Sequence, residues 1–299
     1  MNRILIIGCG DIALRVALLL RGCYRLFGLV RNPARHQALR AAGIIPVPGN
    51  LDDAWSLHRL AGLARVVLHF APPGNAGLKD LRTRNLLASL SRGIPPRRLI
   101  YISTSGVYGD CGGDQVSETH ALDPQTPRAR RRVDAENRIR QWARRNKVHA
   151  SILRVPGIYA ADRLPLDRLR AGTPAMVAGE DSYTNHIHAD DLAAIVVKAL
   201  HHAGPNRIYN ASDDSELKMG EYFDAVADAY GLPHPPRLPR AEVERTVSPA
   251  LWSFMNESRR LTNQRMKQEL KVVLRYPMVD DALTETKGSG SANPESCKI

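Results

Sequence analysis

The stretch Ile4-Leu5-Ile6-Ile7-Gly8-Cys9-Gly10-Asp11-Ile12-Ala13 decides the fold. A short apolar run stops at a glycine, and from Ala13 to Leu20 apolar residues return with a helical period. The order is strand, tight turn, helix. In that setting Gly-x-Gly-x-x-Ala is a phosphate-binding fingerprint. Gly8 permits the turn, Gly10 lets the backbone approach a pyrophosphate with no side chain between, and Ala13 lets the helix pack close to the strand. Asp11 and Ile12 lie on the first helical turn, whose free N–H groups and dipole favour an anion. A dinucleotide held at Gly8, Gly10, Asp11, Ile12 and Ala13 is the expectation.

The alternation repeats downstream. Strands are expected at 26–30, 44–47, 66–70 and 99–103, with helices at 34–42, 52–60 and 78–90 between them. Gly43 sits where a helix commonly ends. Strand and helix alternating over about 100 residues imply an α/β fold, a Rossmann-type doubly wound parallel sheet covered on both faces. A loop at 105–126, a helix at 128–146 and a strand at 150–154 complete a dinucleotide-binding domain expected to span 1–155. Beyond Pro156 the elements shorten: helices near 164–170, 190–201 and 220–230, a strand at 207–210, and a polar helix near Ser258. This reads as a small substrate-binding region at 156–283 whose chain crosses back to the first domain. Gly, Ser, Thr, Asn and Pro dominate from Thr284, so 284–299 is expected to be disordered.

With 43% apolar and 24% charged residues the composition is that of a soluble globular protein. No apolar run is long enough to span a bilayer, and no basic leader precedes the first strand, so a cytoplasmic location without a membrane partner is expected. Cys9, Cys23, Cys111 and Cys297 show no paired or metal-ligand spacing, which predicts neither a disulfide framework nor a metal site. The formal net charge is +12, and the excess gathers at Arg128, Arg130, Arg131, Arg132, Arg138, Arg140, Arg144, Arg145 and Lys147. These spread around a helix and are interrupted by Asp134 and Glu136, as on a solvated face. An anionic small molecule is the next reading. Nucleic acid is not expected, because no recognised binding motif accompanies the charge.

The end of the second strand commonly carries a carboxylate that takes the ribose hydroxyls of NAD. Here it carries Arg31 and Asn32. A guanidinium suits a 2′-phosphate in charge and in its bidentate geometry, so NADP is expected in preference to NAD.

Three further segments carry a resemblance. The run from Tyr101 to Gly109, Tyr-Ile-Ser-Thr-Ser-Gly-Val-Tyr-Gly, resembles the fifth-strand motif of extended short-chain dehydrogenases/reductases, the group of NAD-dependent epimerases and dehydratases. The run from Leu153 to Tyr159 resembles that group's strand leading into the substrate region, and the run from His186 to Leu192 its downstream Ile-His-Val-Asp-Asp motif. With the glycine loop, the similarity spans Asn2 to about Pro233. The resemblance implies a Rossmann domain with a small C-terminal substrate region. It makes Thr104 the catalytic Ser/Thr that hydrogen-bonds a substrate oxygen. It sets Asn50 and Leu51 beside the adenine, and Ala71 and Pro72 along the cofactor.

One feature departs from the family. Its catalytic Tyr and Lys lie in Tyr-x-x-x-Lys, commonly with a Glu four residues after the Lys. Taking Glu136 as that Glu puts Arg132 at the Lys position and Arg128 at the Tyr position. An arginine stays protonated and cannot be the acid or base that a tyrosine provides. Arg132 could still hydrogen-bond ribose hydroxyls. Tyr108 and Tyr159 are the phenols nearest the expected cleft; either could replace the missing acid, but both occupy motif positions that are usually structural. His186 and His188, two apart in the sequence, are not expected to form a metal pair. His188 with Asp190 and Asp191 is expected to cap the following helix. Cys111 is read first as an incidental cysteine and second as a reactive thiol. These features point to an NADP-dependent oxidoreductase or epimerase acting on a polar, anionic small molecule. The alternative is a non-catalytic NADP-binding sensor or structural protein.

Overall fold

A computed structural model describes residues 2–289. Seven parallel strands form its central sheet: β1 (Asn2–Ile7), β2 (Tyr24–Val30), β3 (Ile44–Pro48), β4 (Val66–His69), β5 (Arg98–Thr104), β6 (His149–Val155) and β7 (Arg207–Asn210). Their spatial order is β7-β6-β5-β4-β1-β2-β3. Ile4, Leu5, Ile6 and Ile7 are all fully buried, as a strand covered on both faces requires.

Helices α1 (Asp11–Leu20), α2 (His36–Ala41), α3 (Leu81–Leu90), α4 (Pro127–Asn146), α5 (Ala189–His202) and α6 (Met219–Tyr230) follow in chain order. Val16 and Ala17 of α1 share a core with Leu192 and Val196 of α5 on one face of the sheet. Leu86 and Leu87 of α3 share the opposite core with Ile139 and Trp142 of α4. A third apolar cluster, including Phe223, Val226, Met255 and Tyr276, belongs to the second half of the chain. The order of connections reverses between β1 and β4. Ligands in open α/β sheets bind in the crevice that such a reversal creates at the strand ends.

Three elements differ from expectation. The helix expected at 52–60 is a tight 3-10 turn over Ala54–Leu60, because Asp53 caps Trp55 N and the Ser56 hydroxyl donates to the Asn50 and Asp53 carbonyls. Ser258 is not helical. Its carbonyl accepts from Cys111 N and Gly113 N, its N–H donates to Asp110, and the next residues pair Arg260–Leu261 with Gln115–Val116. Helices instead flank it at Pro249–Met255 and Gln264–Leu270. The helix Val279–Ser289 enters the segment expected to be disordered, and 290–299 lie outside the described residues. Among the described residues no helix is long and apolar enough to cross a membrane.

Candidate active site

Gly8 and Gly10 do different work. Gly8 has φ +96°, and a Cβ there would lie 2.5 Å from the Ala71 backbone N. Only glycine lets the turn close against the chain leaving β4, where Phe70 N and Ala71 N both donate to the Ile7 carbonyl. Gly10 has φ −89°, which any residue adopts, and a Cβ on it would meet nothing within 4 Å. It therefore matters for the open space in front of it. No side chain caps α1, so its first N–H groups stay available to an anion. Ile12 and Ala13 are buried behind the loop. The Asp11 carboxylate is held by Arg15 Nε at 3.0 and 3.1 Å.

At the end of β2, Arg31 is exposed. The nearby Asp52 forms a bidentate pair with Arg82, both contacts at 2.7 Å, so it is already neutralised. That pairing holds the Asp52 carboxyl below its usual range, with a smaller pull from Arg31. Arg35 is close enough to act electrostatically on the Cys9 thiol, which burial pushes up to about 11. Asn32 and Asn50 turn their oxygens to the backbone, accepting from Ala34 N at 3.0 Å and Asp52 N at 3.1 Å. Leu51 is buried, and its carbonyl accepts from Asn85. Ala71 is buried beside the loop, and the Pro72 carbonyl lies 3.4 Å from Arg82.

Past the ends of β5 and β6 opens a cleft of about 1060 Å³. Thr104, Arg128 and Arg132 all line it, with Arg131, Arg163, Arg168, Arg259, Tyr159, His186, Tyr222 and Phe254. Thr104 Oγ1 accepts from Gly106 N at 3.3 Å, which leaves its own proton free to donate. Tyr108 is elsewhere. It is buried, donates to Asn210 Oδ1 at 2.7 Å, accepts from Arg154 at 2.9 Å, and has its pKa raised by burial. A phenol so committed is structural, which corrects its candidacy as a catalytic group.

Arg132 is buried and donates to the Tyr101 hydroxyl at 2.9 Å and the Ile102 carbonyl at 2.8 Å, while its Nε has no partner. Neither acceptor is charged. Arg128 lies 5.9 Å from the Phe254 ring centroid. Desolvation, then Arg132 and Arg131, lower its pKa from the usual guanidinium range. Glu136, one turn beyond Arg132, pairs instead with buried Arg154 at 2.8 Å and accepts from Ser103 at 2.5 Å.

The inner wall holds a buried group that the sequence reading left dispersed. The Tyr159 ring packs edge-on against both His186 and His188, and His186 stacks on Tyr222 at 4.0 Å. Tyr159 Oη, His186 Nδ1 and Asp213 Oδ2 are buried without a hydrogen-bond partner. Burial pushes the Tyr159 phenol up, His186 down to about 3, and Asp213 up to about 8. The cap of α5 is His188 itself, accepting from Asp190 N at 3.3 Å. Asp191 accepts instead from Arg275 N and Tyr276 N. The Cys111 thiol is half-buried, and desolvation raises its pKa, which makes it less reactive. Signals for the arginines at 163, 168 and 259 were absent, because Arg163 and Arg168 share one stretch, Arg259 lies far along the chain, and all three meet α4 only in the fold.

Comparison with known proteins agrees with this fold. The model of the NAD dependent epimerase/dehydratase family matches residues 12–212. Human dTDP-D-glucose 4,6-dehydratase is 23% identical over 172 residues, covering 52% of this chain and 49% of that protein. The alignment thus spans about half the length of that curated relative. A functionally unknown conserved protein from Silicibacter pomeroyi is 26% identical at TM-score 0.79, covering 97% of this chain and 100% of that one. UDP-glucuronic acid 4-epimerase from Bacillus cereus, solved with UDP-glucuronic acid and NAD, superimposes at TM-score 0.76 with 17% identity, covering 96% and 98%.

Proposed function

The chain belongs to the NAD dependent epimerase/dehydratase family, and on that premise we propose that it is an NADP-dependent oxidoreductase or epimerase acting on an anionic small molecule. The open space before Gly10, at an uncapped helix N-terminus, is the observation that carries the cofactor reading. The fit extends to the adenosine end, where Arg31 is exposed and the Asp52 carboxylate, on which Arg31 acts electrostatically, is spent on Arg82. When bound, the nicotinamide supplies hydride transfer. The chain's own residues orient and polarise: Thr104 has a hydroxyl proton to donate to a substrate oxygen, and Arg128 and Arg132 present positive charge to the same cleft. Sugar nucleotides such as UDP-glucuronic acid, which the Bacillus cereus relative binds, match that charge. The test is titration with both cofactors. NADPH should bind more tightly than NADH, and Arg31→Asp should reverse the order; equal wild-type affinities would overturn the preference.

A second reading is favoured by one observation: a protonated arginine stands at each position where the family's proton-handling pair would fall. On that reading the protein binds NADPH stoichiometrically without turning over UDP-glucuronic acid or UDP-glucose.

A further inference from the structure

We propose that Arg163 is a phosphate-binding residue of the dinucleotide site, reaching the pyrophosphate from the substrate side of the cleft; this rests on the dinucleotide reading above. Asp11 follows Gly10 directly and sets a carboxylate at the first position of α1, where the N–H groups would draw an anion. Arg15 balances that charge only in part. It holds Asp11, is hydrogen-bonded to Asp190, and has Asp162 at 3.8 Å. Arg15 is thus shared among three carboxylates and does not fully offset the charge of Asp11. A pyrophosphate arriving there is repelled unless a further cation meets it.

Arg163 is placed to be that cation. It ends the 3-10 turn Ala161–Arg163, just beyond the strand Gly157–Tyr159, so it comes from the second half of the chain. Its Nη1 lies 3.5 Å from Asp11 Oδ2, an ion-pair contact. Among the described residues its guanidinium makes no hydrogen bond, and its side chain is 39% exposed where it lines the cleft. Beyond that ion pair its donors are uncommitted, and the carboxylate it meets belongs to the first residue of α1. A planar fork of N–H groups matches two oxygens of a diphosphate better than a point charge does. The cofactor's charge thereby draws the substrate region onto the dinucleotide-binding half.

The experiment compares NADPH with adenosine 2′-monophosphate, which has no pyrophosphate, on wild type, Arg163→Ala and Arg163→Lys. Arg163→Ala should weaken NADPH about tenfold and flatten the salt dependence of its binding, with Lys recovering part of the loss. Affinity for adenosine 2′-monophosphate should stay unchanged, as should the unfolding temperature. Unchanged NADPH affinity, or an equal loss for both ligands, overturns the role of Arg163. A wild type that binds neither NADPH nor NADH overturns the dinucleotide reading itself, and this inference with it.

Discussion

The sheet floor next to the cleft and the helical wall of the cleft each bury an arginine, and they differ in what balances it. On the floor, Arg154 of β6 meets Glu136 through two nitrogens, at 2.8 and 3.3 Å, and also donates to Tyr108. On the wall, Arg132 of α4 finds only a phenol and a carbonyl, and its Nε has no partner. A buried charge with a matched counterion belongs to the architecture. A buried charge without one suits a site that an anion completes, because desolvation is repaid only when opposite charge arrives.

Breaking the balanced side should have the largest effect. Glu136→Gln leaves Arg154 buried and unpaired, which should destabilise the fold by about 3–5 kcal/mol in urea denaturation. A loss below about 1 kcal/mol would mean that water reaches Arg154, and the contrast between floor and wall would fail.

Asp213 extends the contrast to acids, being a buried carboxyl with no cation hydrogen-bonded to it and one unpartnered oxygen. Its folded pKa, about 8, lies above the ordinary carboxyl value, so the folded state holds the proton more tightly. Its contribution is complete below about pH 4 and declines as pH rises through 8, by a few kcal/mol in total. Asp213→Asn should flatten that decline. Denaturation midpoints at pH 5 and pH 8 give the check: equal pH sensitivity in mutant and wild type would show that Asp213 ionises freely.

How much of this was legible follows the range of the interactions. The strand-turn-helix at the glycine loop and the positions of Thr104 and Arg31 at strand ends were readable, because they depend on neighbours within a few residues and on an order that the apolar period reveals. Tyr108 stayed open between an acid and a structural residue because its partners, Asn210 and Arg154, are distant in sequence. The helix expected near Ser258 failed for the same reason, since its backbone is spent on the segment from Asp110 to Gly113. The Tyr159–His186–Asp213 group was invisible as a group. Its members lie on separate elements, and a histidine or aspartate in sequence carries no sign of burial.

The wall itself gives a smaller effect. Arg132→Met replaces an unbalanced cation with a side chain of similar length, so stability should change by no more than about 1 kcal/mol, in either direction. Affinity for UDP-glucuronic acid in the NADPH-saturated protein should fall about tenfold. A destabilisation as large as that of Glu136→Gln would make Arg132 architectural and erase the distinction.

Arg128 should give the smallest effect on the fold, and it isolates what burial contributes. It stands four residues before Arg132 on α4 and lines the same cleft, yet it is an exposed residue whose guanidinium lies over the Phe254 ring. Water already solvates part of its charge, and a cation–π contact near 6 Å, at the outer limit for an exposed site, is worth about 0.5 kcal/mol at most. Arg128→Ala should therefore leave the unfolding free energy within about 0.5 kcal/mol of wild type. Ligand binding should separate the variants where stability does not. If Arg128 anchors an anion, Arg128→Ala loses affinity for UDP-glucuronic acid and Arg128→Lys keeps most of it, because a point charge suffices at an exposed anion contact. Equal affinity in all three proteins would restrict anion recognition to the buried Arg132. It would also leave Arg128 with no role beyond its contact with Phe254.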